Sequence, residues 1–515
     1  MAPRLVEHGA ASLRRFRATD LPADLRAAVA ALERAAALTP AGDPDRSAIL
    51  SNLGLALIDV DPARAVTVLD EAVETSVEPA QRSAALANLG IALLAGPAHQ
   101  AVDVLIEAAA LAAGDPDEQS RRFGNLGIAF GARYQHSGDA KDLDRAVDAY
   151  EQAVANARED RPTALANLST GLAERYAVHG RPHDLDRAID LSAQALQSAP
   201  DADRIENQAL MLRDRFVRDG DLADLDEAVD QLETIPGLLD QLATTLRMRA
   251  SYRGDPAELR RAVELHREAA KTVEQAARIP VLNNLGGSLR AWAAATELIT
   301  PLDEAISAYR EALSLAEAKD DRSAIRGNLG IGLLDRYDRT SADADLDAAI
   351  DELTAAVAET DPRSPDLPAR LANLGNGLRR RFDRHRRPDD ADQTAAAYRR
   401  AGRLTGSAEA ALRAELNWGR WANQHRDWTQ AREAFAAART AADRLLAQQV
   451  MRRDKESSGR SWPPATVRRP PGCGRWRPAG PGRPPPPSGA PSASGPPQCP
   501  SNYDLLDCRG RLIRG

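Results

Sequence analysis

The chain has 515 residues, 67 Lys and Arg against 75 Asp and Glu, a net charge of -8 and only 4% aromatic residues. That length suits several globular domains or one long repeat array. Nine Arg and two Asp fall in residues 457–515, which leaves 58 basic against 73 acidic residues in 1–456. A balance of that sign argues against a nucleic-acid partner.

The opening stretch, MAPRLVEHGAASLRR, has no apolar run of signal-peptide length. No segment approaches the roughly 20 apolar residues of a membrane span. A cytoplasmic protein with no membrane partner is expected. Residues 1–44 read as N-terminal capping helices and carry one isolated motif, Ala28-Leu32-Ala35.

From residue 45 two patterns alternate. The first is Asn-Leu-Gly, starting at Asn52, Asn88, Asn125, Asn284, Asn328 and Asn373. Looser copies start at Asn167, Asn207, Gln241 and Asn417, which makes ten copies 34 to 45 residues apart. A recurring period in this range marks a solenoid. The repetition also bears on FGNLGIAFGARY (123–134), where Gly127 sits in mid-helix at a cost of roughly 1 kcal/mol relative to Ala. A small residue there lets a neighbouring helix pack close.

The second pattern is Ala, a large residue four later, and Ala three after that. Ala65-Leu69-Ala72, Ala146-Tyr150-Ala153, Ala305-Tyr309-Ala312 and Ala431-Phe435-Ala438 are examples. Offsets of 0, 4 and 7 share one helix face. Between the patterns stand turn signals such as Ser137-Gly138-Asp139, Asp219-Gly220-Asp221 and Arg253-Gly254-Asp255. Gly suits a left-handed helix end there, and the following Asp an N-cap. Each unit is therefore a helical hairpin, with Asn-Leu-Gly on helix A and the Ala-large-Ala motif on helix B.

Leu-Gly followed by Ala, aromatic, Ala resembles the tetratricopeptide repeat. The resemblance spans roughly residues 20–450. It implies an all-α fold, a right-handed superhelical solenoid of about ten helical hairpins over residues 45–456. Most units depart from the usual spacing. From the Asn (or Gln241) to helix B is 21 residues in the third to ninth units and 14 in the last, a difference near two helical turns. The longer units carry Arg-Tyr or Arg-Phe before the turn, at Arg133, Arg175, Arg215, Arg336 and Arg381, and D-L-D where helix B begins. These marks resemble the long arrays of actinobacterial proteins that end in a caspase-like CHAT peptidase domain.

Such a peptidase needs a Cys thiolate and a His to activate it. The three cysteines are Cys473, Cys499 and Cys508, and no His follows His425, so an enzyme is not expected. No phosphate loop or helical His pair occurs, and neither a cofactor nor a metal is expected. What remains is surface: a non-catalytic scaffold that binds a peptide or partner protein. The alternative is the sensor half of a CHAT-type peptidase without its catalytic half.

In a stacked array helices A line the concave side. By resemblance, Asn125, Asn167, Asn284, Asn328, Asn373 and Asn417 would line a peptide groove there. Alternatively each Asn bonds a neighbouring helix and knits the array. Residues 370–387 hold seven Arg. Of these, Arg370, Arg379 and Arg381 suit the carboxylates of an acidic peptide, or else form a solvated face paired with Asp389, Asp390 and Asp392. After Glu456 the sequence turns Pro-, Arg- and Gly-rich, with fourteen prolines between 463 and 500. Residues 457–515 read as a disordered tail, either a polyproline ligand around Pro484–Pro487 or the product of a shifted reading frame.

Overall fold

Pro and Asp open the helices of this chain, and a left-handed residue closes many of them. The computed structural model describes residues 2–19, 21–94, 96, 98–112, 114–404, 408–458, 505–506 and 512–513. These fall in two compact units, Met1–Arg249 and Ala250–Gly515. The first unit holds α1 (Ala2–Thr19), α2 (Pro22–Leu38), α3 (Arg46–Leu57), α4 (Pro62–Glu74), α5 (Pro79–Leu93), α6 (Ala98–Leu111), α7 (Pro116–Ser137), α8 (Lys141–Asn156), α9 (Arg161–His179), α10 (Pro182–Ser198), α11 (Ala202–Asp219), α12 (Leu222–Leu232) and most of α13 (Leu239–Arg253). The second holds α14 (Pro256–Thr272), α15 (Gln275–Thr296), α16 (Thr300–Leu315), α17 (Lys319–Thr340), α18 (Asp343–Glu359), α19 (Leu367–His385), α20 (Pro388–Leu404), α21 (Ala408–Gln424) and α22 (Trp428–Ser458). A two-residue strand β1 (Leu505–Leu506) pairs antiparallel with β2 (Leu512–Ile513). The rest of the Pro-rich tail, with all three cysteines, lies outside the described residues.

Local chemistry sets these boundaries. Pro stands in the first turn of α4, α7, α9, α10, α14 and α19, where its missing N–H satisfies nothing anyway. Asp61, Asp115, Asp201, Asp221 and Asp255 cap helices by accepting backbone N–H groups. Gly138, Gly180, Gly220 and Gly254 take the left-handed conformation the turn signals call for.

Odd-numbered helices are A and even-numbered helices B, an all-α solenoid of tetratricopeptide-like hairpins. Within a hairpin the Asn-Leu-Gly glycine meets the large residue of helix B. A Cβ on Gly286 would lie 2.5 Å from Cε1 of Tyr309, and one on Gly330 would lie 2.5 Å from Cγ of Leu353. Gly54 faces Leu69, Gly90 faces Leu105, Gly127 faces Tyr150 and Gly375 faces Tyr398 in the same way. The first two helices obey this rule too, since a Cβ on Gly9 would stand 2.6 Å from Leu32 Cγ. The ring is covered again from the next hairpin: Gly171 and Gly332 of the following helix A lie over Tyr150 and Tyr309. The large residue thus sits in a slot cut by two small ones, and the slot sets the helix spacing.

The two-turn extension has a structural purpose. Arg133, Arg175, Arg215, Arg336 and Arg381 each reach across the turn to an Asp nine residues on. Their ion pairs are Asp142 at 2.6 Å, Asp184 at 2.8 Å, Asp224 at 2.6 Å, Asp345 at 2.6 Å and Asp390 at 2.7 Å. Both Nε and Nη2 take part, a side-on fork that fixes direction as well as distance. All five carboxylates are buried. The Arg133 guanidinium holds the Asp142 carboxyl below its ordinary range. The second Asp of the motif points to the following hairpin: Asp144 pairs with Arg175, Asp303 with Arg336 at 2.7 Å and Asp347 with Arg381. One guanidinium therefore ties two hairpins together. Where the Arg position is occupied by Trp292, the buried Asp position is occupied by Pro301, so the pair is lost as a unit and no charge is left alone.

The slot yields a test with two signs. Helix propensity alone gives Gly→Ala about 1 kcal/mol of stability. Gly286→Ala is expected to destabilise by about 2 kcal/mol because it drives into Tyr309. The adjacent Gly287→Ala, whose Cβ would meet nothing within 4 Å, is expected to stabilise by up to about 1 kcal/mol. Urea denaturation of the two full-length variants checks this, and equal effects would contradict the slot.

Candidate binding face on helices A

Successive helices A touch one another: α5 meets α7 and α7 meets α9 in the first unit, while α15 meets α17, α17 meets α19 and α19 meets α21 in the second. At three of the repeats the Asn or Gln of one helix A lies against the residue just before the motif of the preceding helix A. The Asn328 amide donates to Oδ1 of Asn283 at 2.9 Å. Gln241, at the same position of its repeat, donates to Glu206 at 2.7 Å. Asn167 lies over Gly124, with its amide nitrogen 3.8 Å from where a Cβ would stand.

The preceding residue therefore decides what the amide does. Where it is Asn283 or Glu206, the amide is consumed in knitting two hairpins. Where the equivalent residue is Gly124, Gly327 or Ala372, it has no side-chain acceptor to offer. Asn167, Asn373 and Asn417 are half-buried and make no side-chain hydrogen bond among the described residues, and Asn125 behaves likewise. Asn284 and Asn328 are both buried. The six candidate asparagines thus separate into four with open amides and two built into the wall.

The candidate arginines also separate. Arg370 is buried and donates to Oγ1 of Thr360 at 2.9 Å, so the fold encloses it. Arg381 is committed to Asp390 and Asp347. Arg379 is half-buried, with its nearest carboxylate, Asp383, 3.9 Å away. Neighbouring Arg380 forks onto Asp338 of the hairpin before, at 2.7 Å. Two residues unmarked by the motif complete the face. Asn376, three after Asn373, accepts from the Tyr398 hydroxyl at 2.6 Å. Arg420, three after Asn417, is exposed and pairs with no described residue. Position +3 in each copy was the signal for both.

Beneath this face Glu415 is buried, with one carboxylate oxygen unsatisfied among the described residues. Burial, and then Glu433, push its pKa up to about 7. Arg399, whose guanidinium is taken by Glu433, and Arg403 only partly offset this.

No family model matches the chain, and no curated protein matches it. Solved structures do resemble it. Human IFIT1, as a dimer with PPP-AAAA, is 15% identical over 81% of this chain and 87% of its own, with a TM-score of 0.43. Yeast Tom70 is 15% identical over 87% of this chain and 99% of its own, with a TM-score of 0.35. A putative kinesin light chain of Podosopora anserina, with nearly identical TPR-like repeats, is 20% identical over 38% of this chain and 97% of its own, with a TM-score of 0.31. These are tetratricopeptide-like helical repeats, and the likeness is one of fold.

They correct one expectation. A nucleic-acid partner was excluded on net charge, yet IFIT1 is seen with the oligonucleotide PPP-AAAA, so the exclusion does not stand. The physical error is averaging. A ligand meets a local surface, and net charge sums over the whole chain. No helix among the described residues is long and apolar enough to cross a membrane, and no group of metal-ligating side chains occurs among them.

Glu415 gives a pH prediction. Its folded pKa lies above the unfolded value, so the folded state binds the extra proton between roughly pH 4.5 and 7. Stability is highest below that window and falls as pH rises through it. Glu415→Gln is expected to stabilise the chain at pH 8 by about 1–3 kcal/mol and to leave it nearly unchanged at pH 5. Thermal melts at the two pH values check this.

Proposed function

We propose that this chain is a non-catalytic interaction scaffold whose helix-A face takes an extended segment of a partner protein. The carrying observation is the row of open amides, above all Asn373 and Asn417 on adjacent helices. An amide both donates and accepts, which matches the backbone of an extended peptide without reading its side chains. Packed helices lie about 8–10 Å apart and an extended chain advances about 3.3 Å per residue. Successive amides would thus meet roughly every third peptide residue. Arg420, which pairs with no described residue, adds a cation at the end of this row.

Peptides selected by display against the full chain test this reading. Asn373→Ala with Asn417→Ala is expected to weaken a selected peptide about tenfold, since two hydrogen bonds of roughly 0.5–1.5 kcal/mol each are removed. Calorimetry gives the comparison. Unchanged affinity, or selection of oligonucleotides in preference to peptides, would overturn the reading.

A further inference from the structure

The large helix-B residue is buried in the hairpins before the last, Leu353 and Tyr398 being 0% exposed. In the last hairpin Phe435 is 40% exposed: Gly419 of its own helix A lies against one side of the ring, and no further hairpin follows among the described residues. Trp428 and Leu446 on the same helix are 63% and 59% exposed. Arg432, Arg439 and Asp443 are also exposed and pair with no described residue. At about 100° per residue these six side chains fall within about 80° of arc, a stripe about 27 Å long on the outward face of α22.

The order along that stripe is Trp428, Arg432, Phe435, Arg439, Asp443, Leu446. Read against its own reversal, each member meets a complement. Trp428 falls opposite Leu446, Arg432 opposite Asp443, and Phe435 opposite Arg439. These are an apolar pair, an ion pair and a cation–π pair, and a two-fold axis makes each of them twice. Other faces of α22 are already used: Ala434, Ala438 and Ala441 are buried, and Glu433 is held by Arg399 of α20.

We propose that two copies of this chain pair through α22, antiparallel about a two-fold axis between Phe435 and Arg439. The stripe continues the interface by which each earlier hairpin is covered by the next, with a second copy in place of a following hairpin. A single helix pair buries less than a standard interface, so the dimer is weak and concentration-dependent.

Sedimentation velocity on the full chain tests this over a concentration series. The expected mass rises from 55.3 kDa towards twice that value. Arg432→Asp and Asp443→Arg each place like charges across the axis and should weaken dimerisation at least about tenfold. Both reversals together should restore it, which also shows that the variants fold. A monomer at every concentration overturns the proposal and assigns the face to residues after 458 or to another protein. A dimer indifferent to the single reversals, or not restored by the double, overturns it equally.

Discussion

Everything in this chain depends on a slot. A glycine on helix A and a small residue on the next helix A admit the ring or branch of one helix-B side chain. A residue that fills its slot cannot slide, so each hairpin is fixed against itself and its successor. The slot spends helix propensity at Gly127, Gly286 or Gly375 and returns it as burial of a Tyr, worth a few kcal/mol by area alone. Where the glycine becomes Ser169, the facing residue shrinks to Ser192, and the Ser169 hydroxyl donates to the Ala188 carbonyl at 2.7 Å instead. Close contact survives a change of chemistry because the space is shared.

The charged ladder lies at the other end of the longer hairpins. Slots fix the middle of each helix pair, whereas Arg–Asp forks fix the end near the turn. Burying an Asp costs several kcal/mol unless a bidentate partner accompanies it, which explains why Trp292 and Pro301 replace the pair together. With both ends fixed, the seam between helices A is set, and it decides which amides bond the chain and which stay open.

The hairpins, their boundaries and the slot were legible in the sequence because small, large and turn-forming residues recur at constant offsets. The division of the asparagines was not. Asn328 and Asn373 sit in the same motif, but Asn328 bonds Asn283, 45 residues back in the chain, whereas the equivalent residue for Asn373 is Gly327, 46 residues back and without a side chain. A repeat pattern aligns equivalent positions but does not say which non-equivalent ones touch. Arg381 is a similar case: its mark in the sequence was plain, but its purpose needed the carboxylates of two hairpins in view. Arg370 looked available within a run of seven arginines, and only packing shows it enclosed beside Thr360. Net charge misled about nucleic acid because it sums over surfaces that no single ligand touches.

The central claim is that the residue before the motif on one helix A fixes the state of the amide on the next. Chemical denaturation of Asn328→Ala and Asn373→Ala, the same substitution at the same repeat position, tests it most directly. Asn328→Ala breaks the 2.9 Å bond to Asn283 and is expected to cost about 1–2 kcal/mol, whereas Asn373→Ala is expected to change stability by less than about 0.5 kcal/mol. Equal losses at both positions would contradict the account.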